Sequence, residues 1–120
     1  MKSLLDLTGQ TALVTGASSG IGAATAVTLA ELGARVAIGY HHNQSGAAAT
    51  RDRIVAAGGT AVAIEADVSQ ASGVRALVDE TVRQLGPIDI LINNAGSLIK
   101  RLTLRDITEA HLDAIHALNV

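Results

Sequence analysis

Residues 15–22 of the chain read TGASSGIG, and this segment decides the fold. An apolar run over residues 11–14 (TALV) precedes it, and a helical pattern over residues 21–32 follows it. In a strand, glycine turn and helix in that order, the first N–H groups of the helix have no partner within the helix and lie at the positive end of its dipole. The segment therefore predicts a site that binds an anion such as pyrophosphate.

The glycines and serines of this turn have separate expected roles. Gly16 is expected to take a positive φ where the strand turns, while Gly20 and Gly22 let a ligand and the sheet approach the main chain. Ser18 and Ser19 either donate hydroxyl hydrogen bonds to phosphate or bond only their own turn, and the sequence leaves both readings open.

The spacing of the turn is G-x-x-x-G-x-G, because Thr25 stands where the general dinucleotide fingerprint would have its third glycine. Two further marks follow in order: Asp67-Val68 at the end of a later strand, and residues 93–96 (NNAG) after another. With these marks the chain resembles the short-chain dehydrogenase/reductase family over nearly its whole length. Members of that family are longer, so residues 1–120 are interpreted as one Rossmann half domain that binds NAD(P), truncated before the family's catalytic Ser, Tyr and Lys.

Composition sets limits on the class of protein. Hydrophobic residues form 48% of the 120 residues and aromatic residues only 1%, which predicts an aliphatic core of the kind found in parallel sheets buried on both faces. The net charge of -2 argues against a nucleic-acid partner, and the lack of cysteine excludes disulfides. No apolar run is long enough to cross a membrane. The sequence is interpreted as a cytoplasmic, soluble protein.

The order of elements predicts an α/β fold. Expected strands cover residues 11–15, 35–40, 60–66 and 88–92. Expected helices cover residues 20–32, a second stretch capped by Ser45 and ended by Gly58, residues 74–85 with Ser72 as cap, and a last stretch from Thr108 to the chain end. Gly33 is expected to end the first helix in a left-handed conformation. Right-handed crossovers give a doubly wound parallel sheet of order 3-2-1-4, with helices on both faces and a ligand crevice at the carboxyl ends where strand 1 meets strand 4. Without a fifth strand, strand 4 would be an open apolar edge.

The end of strand 2 bears on the choice of cofactor. A carboxylate about 20 residues after the glycine turn would accept hydrogen bonds from the ribose 2′-hydroxyl of NAD. Residues 35–51 contain no acid. NADP(H) is therefore favoured over NAD(H), with Tyr40, His41, His42 or Asn43 near the 2′-phosphate; the alternative for the two histidines is a solvated loop.

The resemblance implies the other cofactor contacts, which lie after strands 1, 3 and 4: Ile21, Asp67, Val68, Asn94, Ala95 and Gly96. In the family the carboxylate at the position of Asp67 faces the adenine amino group, and Val68 lines the adenine pocket. Asn94 ties neighbouring strands together, and Ala95 and Gly96 leave room for the ribose. The plainer alternative for Asp67 is a turn residue at a strand end.

The reaction is also implied by resemblance: reversible hydride transfer between the nicotinamide and a ketone or secondary alcohol. Asn119 matches the family's catalytic asparagine, which holds a water in a proton relay, although an amide on an apolar face would otherwise simply bond a neighbouring carbonyl. The family's Tyr and Lys, four residues apart, are absent, since Tyr40 is the only tyrosine and Gln44 lies four residues on. The full-length protein is expected to act on a small carbonyl or alcohol substrate as a homodimer or homotetramer.

Two other functions are compatible with the sequence. The chain could bind a dinucleotide without catalysis, or, more remotely, be a phosphoryl-receiver domain with Asp67 as phosphoacceptor. The basic residues at 100, 101 and 105 either form a lip of the substrate pocket or a solvated loop. His111 and His116 are five residues apart and do not share a helix face, so no metal site is predicted.

Overall fold

The computed structural model describes residues 6–94 and the backbone of residues 115–119. In the described residues three helices alternate with four strands. The helices are α1 (Gly20–Glu31), α2 (Gln44–Ala56) and α3 (Ala71–Leu85). The strands are β1 (Thr11–Thr15), β2 (Arg35–Tyr40), β3 (Thr60–Glu65) and β4 (Ile88–Asn93), and β5 (Ile115–Asn119) follows. The predicted α/β alternation is confirmed.

All five strands form one parallel sheet of order β3-β2-β1-β4-β5. Val14 of β1 lies opposite Ile38 of β2 and Ile92 of β4. The predicted order 3-2-1-4 is confirmed, and β1 is the strand from which the chain winds in both directions. The carboxyl ends of β1, β2 and β3 consequently meet at one edge of the sheet.

The core has two halves, because successive side chains of a strand point to opposite faces of the sheet. On one face Val14, Val36 and Ile38 pack with Ile54 of α2. On the other face Leu13 and Ala37 form a cluster with a larger set of buried residues from α3 and β4: Leu77, Val78, Leu85, Ile88 and Leu91. The helices thus cover both faces, and the core is aliphatic as predicted.

Helices α1 and α2 end in the same way. Gly33 has φ of 107°, and its N–H donates to the carbonyl of Ala30 at 3.0 Å while Ala34 N–H donates to Leu29 at 3.1 Å. This is a Schellman motif, which satisfies carbonyls that the helix leaves open. Gly58 has φ of 93° and repeats the arrangement after α2. The predicted role of Gly33 is confirmed.

Two predicted helix caps are wrong. Asn43, not Ser45, caps α2, because its Oδ1 accepts the N–H of Gly46 at 3.0 Å while Ser45 lies within the first turn. Asparagine is among the strongest N-capping residues and its short side chain reaches the third helical N–H. Ser72 does not cap α3, which begins one residue earlier with Gln70 at the N-cap position and no side-chain capping bond.

The predicted last helix is wrong over residues 115–119, which form β5. This strand pairs in parallel with β4, with Ile115 opposite Ile88 and Asn119 opposite Leu91. An uncovered β4 would leave a row of main-chain N–H and C=O groups without partners, and strand pairing satisfies them. The prediction of an open edge at β4 is therefore also wrong. The earlier part of the expected helix and the basic residues before it lie outside the described residues.

Candidate functional site

A cavity of about 320 Å³ opens at the carboxyl ends of β1, β2 and β3. Its walls come from three strand-to-helix loops and the strand ends before them: Thr15, Gly16, Ser18, Gly39, Tyr40, His41, Ala66, Asp67, Val68 and Ser69. The sequence placed the crevice between strands 1 and 4. The cavity instead extends from β1 toward β3, and Asn94 after β4 adjoins it beside Gly16.

The turn after β1 has the backbone that its glycines permit. Gly16 and Gly20 have φ of 67° and 61°, in the left-handed region that disfavours side chains. The positive φ predicted for Gly16 is confirmed. The N–H of Gly16 donates to the Gly39 carbonyl at 3.0 Å, which holds the turn on β2. At Gly22 an added Cβ would overlap the carbonyl oxygen of Gly16, so α1 approaches the turn at main-chain distance.

The first turn of α1 has no side chain capping it. Ser19 occupies the N-cap position with an extended backbone, is exposed, and makes no capping bond. The first N–H groups of α1 therefore keep their capacity to bind an anion. Ser18 lines the cavity, whereas Ile21 is exposed over 77% of its surface.

Thr15 and Asn94 join the ends of β1 and β4. The buried hydroxyl oxygen of Thr15 accepts the main-chain N–H of Asn94 at 3.0 Å. The side-chain amide of Asn94 in turn donates to the Gly16 carbonyl across 3.3 Å. Two of the three motifs that carry the family resemblance, the glycine-rich turn and the motif that contains Asn94, are thus bonded to each other at the carboxyl end of the sheet. Ala95, Gly96 and the side chain of Asn119 lie outside the described residues.

The loop after β2 brings imidazole groups to the cavity. His41 lies in the cavity wall, and its ring centroid is 3.9 Å from that of His42 at an interplanar angle of 37°. Tyr40 is half-buried at the strand end, and Asn43 closes the loop by capping α2. This wall offers hydrogen-bonding groups and no carboxylate between residues 35 and 51.

Asp67 forms the acidic wall of the cavity. Its Oδ1 accepts the Ser69 hydroxyl at 2.6 Å and the Ser69 N–H at 3.0 Å. These two bonds, and the positive charge that His41 and His42 can carry, lower the pKa of the Asp67 carboxyl below its ordinary value. The carboxylate form is thus favoured beside the cavity, where it can accept a hydrogen bond from an amino group of a ligand.

The sequence interpretation missed two glycines and the serine at position 69. Each of α1, α2 and α3 has glycine as its third residue, and at each an added Cβ would overlap a carbonyl oxygen of a loop beside the cavity. The pairs are Gly22 with Gly16, Gly46 with Ser18, and Gly73 with Asp67. The recurrence of glycine at the third helical position is the pattern that could have identified them.

Metal and membrane features are lacking in the part of the chain that the structure describes. Among its residues no three His, Cys, Asp or Glu side chains come together in a group that could hold a metal ion. None of the three helices described combines the length and apolarity that a membrane crossing requires.

Comparison with known proteins gives a consistent family. A family model described as short chain dehydrogenase matches residues 10–120. An uncharacterized oxidoreductase of Methylorubrum extorquens is 46% identical over 114 residues, which is 95% of this chain and 46% of the relative. The chain thus spans less than half the length of that relative.

Solved structures share the fold. A dehydrogenase/reductase from Sinorhizobium meliloti 1021 superposes with a TM-score of 0.75 at 44% identity, over 88% of this chain and 43% of the other. A blue fluorescent protein from a metagenomic library, solved in complex with NADPH, gives a TM-score of 0.77 at 34% identity, over 91% of this chain and 51% of the other.

Proposed function

The chain belongs to the short-chain dehydrogenase family, and from that premise we propose that it forms the cofactor-binding half of an NADP(H)-dependent oxidoreductase. The reaction is reversible hydride transfer between the nicotinamide and a ketone or secondary alcohol. The observation that carries the proposal is the cavity at the carboxyl ends of β1 to β3. Its walls include part of the glycine-rich turn that leads into the uncapped N-terminus of α1, a loop without carboxylates, and the Asp67 carboxylate.

The glycine-rich turn fits the pyrophosphate of the cofactor. A Cβ at position 22 would fill the space where α1 meets Gly16, and Ser19 leaves the first N–H groups of α1 uncapped by a side chain. Main-chain N–H groups at the positive end of a helix are suited to a phosphate, and a hydroxyl such as that of Ser18 can add a bond.

The loop after β2 supports NADP(H) over NAD(H). A carboxylate there would repel a 2′-phosphate, and residues 35–51 have none. Tyr40, His41, His42 and Asn43 instead present hydrogen-bonding groups. One relative of known structure was solved with NADPH, which favours the same choice.

Asp67 and Val68 are proposed to hold the adenine. The Ser69 bonds keep the Asp67 carboxyl ionised and fix one of its oxygens, so the other can accept from the adenine amino group. Val68 lines the same wall. Asn94, Ala95 and Gly96 are proposed to form the floor under the nicotinamide ribose.

The cofactor, when bound, supplies or accepts the hydride. The chain's own part is to bind and orient it, and Asn119 is proposed to hold a water that relays the proton. No Tyr-x-x-x-Lys pair stands in these 120 residues. Turnover is therefore proposed for a protein that carries this half together with a Tyr-x-x-x-Lys pair, whose Tyr would be the general acid. For that protein we propose a small carbonyl or alcohol substrate, a homodimeric or homotetrameric assembly and a cytoplasmic location.

A second candidate is dinucleotide binding without catalysis, since the residues that line the cavity account for the binding of a cofactor and not for turnover. General acid catalysis contributes about 10²–10⁴-fold to a rate, so a chain without the acid would bind the cofactor and turn over little. The receiver-domain alternative is set aside, because the family is that of dehydrogenases.

The test is NADPH oxidation with a panel of ketones, preceded by the intact mass of the protein. A mass well above 12.2 kDa together with carbonyl-dependent NADPH loss supports the oxidoreductase. Binding of NADPH without turnover by any ketone supports the second candidate. Absence of binding of both NADPH and NADH would contradict both candidates.

A further inference from the structure

Gly46 is the third residue of α2, the helix that follows the loop of residues 41–43 beside the cavity. A Cβ at this position would overlap the carbonyl oxygen of Ser18, a main-chain atom of a residue in the cavity wall. Rotation of a side chain cannot relieve an overlap with main chain. Either the glycine-rich turn or the first turn of α2 would have to move.

The residue that caps α2 is also close to this position. The same Cβ would overlap the amide nitrogen of the Asn43 side chain and lie 2.8 Å from its Cγ. Asn43 is the residue that caps α2, through the bond from the Gly46 N–H to its Oδ1 at 3.0 Å. Gly46 is thus enclosed between the cap of α2 and the turn after β1, and both lie next to the cavity.

We propose that Gly46 is a positioning residue, whose missing side chain fixes the distance between the first turn of α2 and the glycine-rich turn. This rests on the proposed function, in which the glycine-rich turn binds pyrophosphate and the loop of residues 41–43 receives the 2′-phosphate. Gly46 touches neither group. It acts through Ser18 on one side and Asn43 on the other.

The expected effect depends on which contacts a ligand makes. A ligand with a 2′-phosphate bridges the two loops, and charge-assisted hydrogen bonds weaken steeply when donor and acceptor are displaced. A ligand without that phosphate makes fewer contacts to the α2 side. A greater distance between the first turn of α2 and the glycine-rich turn should therefore weaken NADPH binding more than NADH binding.

The experiment compares Gly46→Ala with Gly59→Ala, a matched glycine just beyond the other end of α2. A Cβ at Gly59 would lie 2.8 Å from Ile54 Cγ2 and 3.2 Å from its carbonyl oxygen, away from the cavity. Two quantities are measured: the dissociation constants for NADPH and NADH, and the amide NMR shifts of Ser18 and Ser19 without ligand.

For Gly46→Ala we expect the affinity for NADPH to fall by about tenfold, the scale of one displaced charge-assisted hydrogen bond, and that for NADH to fall by less. The Ser18 and Ser19 amides should shift. Gly59→Ala should leave the amides and both constants unchanged even where it lowers the melting temperature. If Gly46→Ala does not fold, the N43G/G46A double variant takes its place, because it removes the overlap with the Asn43 side chain and keeps the overlap with Ser18. Its control is Asn43→Gly alone, since Gly is tolerated at an N-cap.

Unchanged Ser18 and Ser19 amides in the Gly46 variant, or an equal loss of affinity for NADPH and NADH, would overturn the positioning role. A wild-type protein that binds NADPH no more tightly than NADH would instead contradict the proposed cofactor. In that case the amide shifts alone decide whether Gly46 sets the spacing, so the two failures are distinguishable.

Discussion

The hydroxyl oxygen of Thr15 accepts the main-chain N–H of Asn94 at 3.0 Å, and so connects the last residue of β1 to the turn after β4. Thr15 is only 1% exposed, and it also belongs to the residues that line the cavity. Both residues belong to the motifs by which the chain resembled its family. Their contact makes the two motifs one structural unit.

Replacement of Thr15 by Val keeps the shape of the side chain and removes the acceptor. We expect a loss of about 1–3 kcal/mol in the free energy of unfolding, because the Asn94 N–H loses its partner in a partly buried place. Urea denaturation measures it. Thr81→Val is the control: Thr81 is also buried, but its hydroxyl bonds only the Leu77 carbonyl one turn earlier in α3. Equal losses in the two variants would contradict the role of the Thr15 bond.

Alanine substitutions at Gly20 and Gly22 distinguish the cost of backbone strain from the cost of steric overlap. Gly20 has φ of 61° but no atom within 4 Å of an added Cβ, so Gly20→Ala should cost about 1–2 kcal/mol of stability. At Gly22 a Cβ would overlap the Gly16 carbonyl and lie 2.7 Å from the Asn94 side-chain nitrogen. Gly22→Ala should therefore cost more stability and weaken dinucleotide binding by at least about tenfold, the scale of a lost charge-assisted bond. Thermal unfolding and an NADPH titration test this, and an equal effect of both variants would refute it.

The pKa of Asp67 should depend on Ser69. Since the Ser69 hydroxyl and N–H lower it, Ser69→Ala should raise the Asp67 pKa toward its ordinary value of 3.8. A lowered pKa in the folded state adds stability that is complete above the unfolded value and is lost as the pH falls through the folded one. The stability difference between wild type and Ser69→Ala should therefore shrink below about pH 3.8.

Carboxyl-carbon NMR titration measures this shift directly. Glu80 serves as an internal reference, because Arg83 and Gln84 lower its pKa to about 2 within α3, away from the cavity. Ser69→Ala should leave Glu80 unmoved. In an Asp67→Asn background the pH-dependent part of the Ser69 effect should vanish, and its persistence would show that another group is responsible.

Leu77 packs against Gly39 in the cavity wall. It is 1% exposed, and its Cδ2 would lie 3.0 Å from a Cβ added to Gly39, which lines the cavity. Leu77→Ala should lower the free energy of unfolding by about 2–5 kcal/mol through lost burial and the space left behind. The exposed Val55, 52% accessible on α2, is the control, and Val55→Ala should cost far less. Similar denaturation midpoints for the two variants would contradict the packing described.

The sequence predicts the first four strands well, because apolar runs there are bounded by glycines and by charged or polar residues. The expected and observed limits of β1 and β2 coincide. It fails at residues 115–119, where IHALN carries apolar side chains at spacings that suit a helix or a strand. At these residues the choice between helix and strand depends on pairing with the edge of β4, and the local sequence carries no information about that pairing.

The candidate site is predicted only as far as its parts lie in one segment. The glycine-rich turn and Asp67 are recognisable because each motif is local. Gly46 and Gly73 cannot be recognised from the local sequence. Gly46 is required by the carbonyl oxygen of Ser18, which is distant in sequence. Gly73 is required by the carbonyl oxygen of Asp67, to which the chain returns six residues later. The sequence places Asn43 near the 2′-phosphate but does not identify it as the cap of α2, because the capping bond depends on the residue at which the helix begins.

The most direct test of the proposed NADP(H) preference is a titration of the wild-type protein with NADPH and NADH at one ionic strength. We expect NADPH to bind at least about tenfold more tightly, since its 2′-phosphate gains at least one charge-assisted hydrogen bond beside His41 and Asn43. We also expect the difference in affinity to narrow as salt screens the phosphate charge. Equal affinity for the two cofactors, or binding of neither, would contradict the proposed cofactor.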